Sequence, residues 1–117
     1  MDIQELLSKS EEASRMLTVL ANRHRLRILC ELHKGERSVS ALENVVSLSQ
    51  SALSQHLAKL REAKIVATRR DAQTIYYSIS DARAERLLAV LYDIFCKKIK
   101  NTAIKGAAKR ARSTYET

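Results

Sequence analysis

The sequence predicts a mainly helical domain with one small β-hairpin placed before its last helix. Three observations carry this prediction. Proline is absent and glycine occurs only twice in 117 residues, which suits helices joined by short connections. Apolar residues recur at helical spacing in several stretches, most clearly Leu53, Leu57 and Leu60 at i, i+4 and i+7. Val66–Arg70 and Thr74–Ile79 flank the turn Asp71-Ala72-Gln73, and Ile75, Tyr77 and Ile79 alternate with Thr74, Tyr76 and Ser78. That alternation has the period of a strand with one buried face. A short helix followed at once by a basic two-stranded ribbon has the pattern of a winged helix-turn-helix.

The elements follow in order. Ile3, Leu6, Leu7, Ala13, Met16, Leu17 and Leu20 predict one long first helix with an apolar face and a charged back. Asn22 is placed to cap a second helix over Arg23–His33, which Gly35 ends. Leu26, Ile28, Leu29, Cys30 and Leu32 make that helix apolar around much of its girth, so a central position is expected. Ser38-Val39 reads as a short strand, and Ser40 as the cap of a third helix, Ala41–Val46. Ser47-Leu48-Ser49 then turns into the fourth. Asp81 caps a long final helix whose stripe is Ala84, Leu87, Leu88, Leu91, Ile94 and Phe95. From Lys97 onward there are seven Lys or Arg against a single Glu, so residues 1–100 are expected to form the domain and 101–117 a basic, flexible tail.

Composition narrows the function. Lys and Arg number 21 against 13 Asp and Glu, a net charge of +8, which favours a polyanionic partner such as nucleic acid or an anionic membrane surface. No apolar run approaches the roughly 18 residues of a membrane span. The first residues lack a signal-peptide pattern, so a cytoplasmic location is expected, with both cysteines kept reduced. The chain has no nucleophile–base arrangement, phosphate loop or metal constellation, so an enzyme is not expected. No cofactor is implied. The stripes on the first and last helices either complete the domain's own core or meet a second copy. So small a core favours the second, a two-fold homodimer presenting two helices to a palindromic site on double-stranded DNA.

On a helical wheel Ser51, Gln55 and Ala58 fall opposite the leucine stripe, with Ser54 and Lys59 on its flanks and His56 toward the core side. Small and amide side chains allow close approach to a major groove and can reach base edges or phosphates. The run LANRHRLRILCEL, then SVSAL, then LSQSALSQHLAKLREAKIVATRRDAQTIYYSI resembles the ArsR family of bacterial winged-helix repressors over roughly residues 15–96. The stretch from Ser49 to Ser78 is most similar to the family's NolR, HlyU and BigR branches. The resemblance implies an α-α-α-α-β-β-α fold, dimerisation through the first and last helices, and repression that an inducer relieves.

Carried over residue by residue, it places Ser49, Gln50, Ser51, Ser54, Gln55 and His56 at or near the groove. Gln55 is the first candidate base reader, since its amide can pair bidentately with adenine. Lys59, Arg69 and Arg70 are expected at phosphates or the minor groove, and Gln73 and Thr74 at the wing tip against the backbone. Arg61 and Arg86 read as solvated charges.

Many members of the family sense metals. One familiar site needs cysteines at the start of the third helix, where this chain has Ser38-Val39-Ser40-Ala41-Leu42-Glu43. The other needs Asp and His pairs along the last helix, which offers Asp81, Glu85 and Asp93 but no histidine. A metal-responsive repressor is therefore the weaker alternative, and no metal ligands are assigned. By residue type alone, Cys30 and Cys96 read as inert small hydrophobes, although Lys97 and Lys98 beside Cys96 would favour its thiolate. The resemblance implies more. In the BigR and SqrR type of repressor a cysteine pair at these two places forms a dithiol switch for oxidants or reactive sulfur. NolR-like relatives lack the pair, so a constitutive regulator with inert cysteines is the alternative.

Overall fold

The computed structural model describes residues 1–96. The chain divides into two compact units, Met1–Arg86 and Leu87–Thr117. The expected tail, 101–117, lies outside the described residues. Helices α1 (Ile3–Ser8), α2 (Ser10–Leu20) and α3 (Arg23–His33) lead to a short strand β1 (Arg37–Ser38) and helices α4 (Val39–Val45) and α5 (Gln50–Glu62). Strands β2 (Val66–Asp71) and β3 (Thr74–Ile79) follow, then α6 (Ala82–Phe95).

The single first helix expected from periodicity is two. Lys9 leaves the helical region at φ −103°, ψ 7°, and the Ser8 hydroxyl donates to the Glu5 carbonyl at 2.6 Å. A serine bonding back to its own helix competes with the backbone ladder, and α1 buries no residue that would hold it in line. The third helix starts at Val39, capped by Ser38 rather than Ser40. Pairing with Tyr76 holds Ser38 extended at φ −73°, ψ 162°, the conformation a cap requires, and its Oγ accepts from the Ala41 amide at 3.1 Å. For the same reason β1 is Arg37–Ser38 and excludes Val39. The hairpin turn is also tighter than expected. Asp71 pairs with Thr74, leaving only Ala72-Gln73 as the loop, with Ala72 at φ 56°.

The core of the first unit is built on α3 and α5. Ile28, Leu29 and Leu42 are fully buried, as are Leu53, Leu60 and Ile65. Burial of each leucine in the α5 stripe contributes about 1.5–3 kcal/mol. The sheet order is β1-β3-β2, all antiparallel. Along β3 the expected alternation of one buried and one wet face is absent: Ile75–Ile79 are all half-buried. Cys30 differs from the expectation of an apolar girth: it lies on the exposed side of α3.

Apolar surface remains uncovered in each unit. Ile3, Leu6 and Leu7 on α1 and Leu17 on α2 are half or more exposed. In the second unit, described as far as Cys96, Val90, Tyr92, Ile94 and Phe95 are exposed, Phe95 at 78%.

Candidate nucleic-acid interface

Helix α5 is held by its ends as well as its stripe. Ser49 caps the start, its Oγ accepting from the Ala52 amide at 3.1 Å. At the other end Lys64 takes the left-handed conformation (φ 61°), donating to the Arg61 carbonyl at 2.9 Å, while the Ile65 amide donates to Leu60 at 3.0 Å. This is a Schellman closure with its apolar contact between Leu60 and Ile65, both buried. With Leu53, Leu57 and Leu60 turned inward, Gln50, Ser51, Ser54, Gln55, Ala58 and Lys59 are all exposed. A cleft of about 520 Å³ opens beside the helix, lined by Ser54, Ala58 and Arg61 of α5 and by Val39 and Tyr77.

His56 is half-buried and belongs to a second network. Arg25, 8% exposed, donates through Nε to the Val19 carbonyl and through Nη2 to Thr18 at 3.4 Å, closing the C-terminus of α2. Its Nη1 donates to His56 Nδ1 at 3.3 Å, so the ring accepts there, and the ring of His24 lies 5.5 Å from that of His56. Burial first, then the positive charges of Arg25, His24 and Lys59, lower the His56 pKa below its ordinary value. One buried arginine therefore ties α2, α3 and α5 together. Sequence reasoning missed it, although Arg25 continues the buried set Ile28, Leu29 and Leu32 at helical spacing. A cation within an apolar stripe signals buried partners.

On the wing, Arg69 and Arg70 are both exposed but differ in setting. The carboxylate of Glu36 holds Arg69 with two bonds, 2.6 Å from Nη2 and 3.1 Å from Nε, and Asp71 lies 3.9 Å from Nη1. The guanidinium covers the Tyr76 ring at 4.6 Å. The hydrogen bond from Arg69 pulls the Glu36 carboxyl below its usual range and raises the arginine in turn. Arg70 makes no ion pair among the described residues. Gln73 and Thr74 are exposed at the tip. At the start of α6, Arg83 bridges Asp81 (2.9 Å) and Glu12 (2.8 Å), and hydrogen bonds from Arg83 lower both carboxyls. His33 and Glu85 pair at 2.7 Å.

Both cysteines are free and exposed. Among the described residues, no three His, Cys, Asp or Glu side chains converge as metal ligands would, and no helix is long and apolar enough to cross a membrane.

A capped helix with a bare polar face, entered through a short turn and followed by a basic hairpin, is the arrangement of winged-helix regulators. The signature of bacterial regulatory proteins of the arsR family matches residues 22–68. The transcriptional activator HlyU of Vibrio cholerae is 42% identical over 97 residues, covering 83% of this chain and 90% of HlyU. The chain belongs to the ArsR family. The nodulation protein NolR of Rhizobium meliloti is 54% identical to this ArsR-family chain over 86 residues, covering 74% of it and 70% of NolR. The crystal structure of the transcriptional repressor BigR from Xylella fastidiosa superposes with a TM-score of 0.79 at 38% identity. The match covers 84% of this chain and all of that one. This ArsR-family chain is thus a winged-helix transcriptional regulator. Its family and these relatives are regulators, not enzymes.

Proposed function

We propose that the chain is a cytoplasmic homodimeric repressor that reads a palindromic operator through α5 and the β2–β3 wing. Residues 1–100 form its DNA-binding unit. One observation carries the reading: the fully buried leucine stripe of α5 leaves Ser51, Ser54 and Gln55 bare on the opposite face of a helix fixed at both ends. Gln55 reads a base, Ser49, Gln50, Ser51 and Ser54 support it at the groove, and Lys59, Arg70, Gln73 and Thr74 contact the backbone. Arg69 joins them when a phosphate displaces Glu36. His56 orients the helix from its inner side. The uncovered apolar residues of α1, α2 and α6 supply the dimer surface, since patches of this kind mark interaction sites.

Operator affinity is switched by Cys30 and Cys96, whose exposed thiols a small oxidant or reactive sulfur species can reach. With a hydroperoxide, two thiols give a disulfide, an alcohol and water. With an organic persulfide, one thiolate accepts the sulfane sulfur and releases the thiol, and the second thiol then closes the disulfide with loss of hydrogen sulfide. The test is binding of the reduced protein to duplex DNA from its own promoter region, before and after an organic persulfide or hydroperoxide. The expected result is a loss of affinity that dithiothreitol restores and that Cys30→Ser or Cys96→Ser abolishes. Tight binding that no oxidant alters would make this a constitutive regulator, and activation of transcription from the bound site would overturn the repressor assignment.

A further inference from the structure

Helix α3 begins against the rule for helix ends. The first turn of a helix favours acidic side chains, because its partial charge there is positive. Here the first turn contains no acid, and Arg23, His24, Arg25 and Arg27 crowd its N-terminal half. Arg25 is accounted for by its buried bonds. Arg23 has no hydrogen-bond or ion-pair partner among the described residues and Arg27 bonds only one carbonyl; both are exposed, and at i, i+4 they stand one above the other, a like-charge pair that costs helix stability. An arrangement that folding disfavours points to an anion outside the chain.

The two arginines face a cleft of about 380 Å³ that they line with His24, Val46, Ser47 and Leu48. No carboxylate lines it. The helix amides are not what it offers, since the Asn22 side chain already accepts from those of His24 and Arg25 at 2.9 and 3.1 Å. Arg27 is fixed in place by its Nη2 donating to the Val45 carbonyl at 2.9 Å, the last residue of α4. The far wall is the Ser47-Leu48 turn, which runs directly into Ser49, the cap of α5. In a helix-turn-helix the start of the second helix meets base edges while the helix before it crosses the backbone. The turn between the two therefore lies beside phosphates.

We propose that Arg23 and Arg27, with the Ser47 hydroxyl, form a seat for a backbone phosphate of the operator duplex, flanking the groove that α5 enters. The seat rests on the DNA-binding reading above and extends the interface beyond α5 and the wing. It carries no sequence information. It fixes the register in which Gln55 meets its base.

The test measures affinity of the full chain for a promoter duplex and a random-sequence duplex between 50 and 200 mM KCl. The variants are Arg23→Gln, Arg23→Lys and, as a control, Gln55→Ala. A lost phosphate contact lowers the slope of log K against log salt by about 0.9, so by about 1.8 for two subunits. Arg23→Gln is expected to flatten the slope by that amount on both duplexes, removing about 3-fold of the salt-driven loss per contact across this range. Arg23→Lys, which keeps a point charge, should hold the slope and match the parent in urea unfolding, while Arg23→Gln, relieved of the like-charge pair, should be at least as stable as the parent. An unchanged slope with Arg23→Gln, while Gln55→Ala still loses the operator, overturns the seat and leaves the DNA-binding reading intact. A loss confined to the promoter duplex also overturns it. Failure of the parent to bind either duplex overturns both. Inorganic phosphate that binds the parent but not Arg23→Gln, with slopes equal, would make this a free-anion site instead.

Discussion

Replacing Arg25 by methionine isolates what the buried guanidinium does. Methionine keeps most of the side-chain volume in the α3 stripe, so the loss is of hydrogen bonds rather than packing. The bond from Nε to the Val19 carbonyl is short and charge-assisted, a class that contributes about 1.5–3 kcal/mol. The bond to Thr18 at 3.4 Å lies beyond the usual N–H···O range and adds little. The contact with His56 is likewise long at 3.3 Å. The sum is a destabilisation of about 2–3 kcal/mol. With a urea dependence of about 1–3 kcal/mol/M for a domain of this size, the midpoint should fall by about 1–2 M. Parent and variant are to be compared at one protein concentration, because association contributes to apparent stability. Arg25→Lys, with a single ammonium for two carbonyls and a ring nitrogen, should recover less than half of the loss. The His56 pKa should move up only part of the way in Arg25→Met, since burial is the larger cause of its depression. A midpoint that shifts by less than about 0.3 M would refute the account of Arg25 as the tie between α2 and α5.

Other outcomes follow from single features. Lys64 occupies a left-handed position that glycine adopts freely, so Lys64→Gly should stabilise the fold by about 1 kcal/mol in urea unfolding; destabilisation would mean its side chain matters more than its backbone. Glu36→Gln removes the carboxylate that a phosphate must displace from Arg69 and should tighten binding to operator and random DNA alike, whereas weaker binding would show that Glu36 aims Arg69 at the DNA. Gln55→Ala should cost about 1–3 kcal/mol on the operator alone, and equal losses on random DNA would remove it as the base reader. The folded-state pKa of His56 is depressed, so the unfolded chain binds its proton first. Its contribution to stability is complete above the unfolded pKa of about 6.5 and is lost as pH falls below that toward the folded value. Urea midpoints should therefore drop between pH 7.5 and 5.5, and less steeply in His56→Gln.

The order of elements and the α5 stripe were legible because each rests on a local period that burial then enforces. Leu53, Leu57 and Leu60 had to face inward whatever the rest of the chain did. The helix over Arg23–His33, with Asn22 as its cap, was readable for the same reason. What escaped was decided across the chain. Ser38 outcompetes Ser40 as a cap only because β3 pairs with it, thirty-eight positions away at Tyr76. Arg69 is paired with Glu36 across the sheet, a partner no local pattern indicates. Arg25 left a local trace, a cation in an apolar stripe, but its acceptors are carbonyls of a different helix.

This difference bears on how a switch in this protein would work. Helix α5 is anchored by its buried stripe, by a cap at one end and a Schellman closure at the other, and by His56 through Arg25. Four ties of independent origin make local melting of the helix an expensive route to lower affinity. Neither cysteine is on α5: Cys30 lies on the exposed side of α3 and Cys96 follows α6. In the dimer proposed above, oxidation at these positions would act on how two intact reading heads are presented to the two half-sites. A two-fold operator is sensitive to that spacing, since half-sites recur at about 34 Å along the duplex. Oxidised protein should then keep its non-specific affinity and its salt slope while losing the operator preference. Equal loss on both kinds of DNA would place the effect inside the reading head instead.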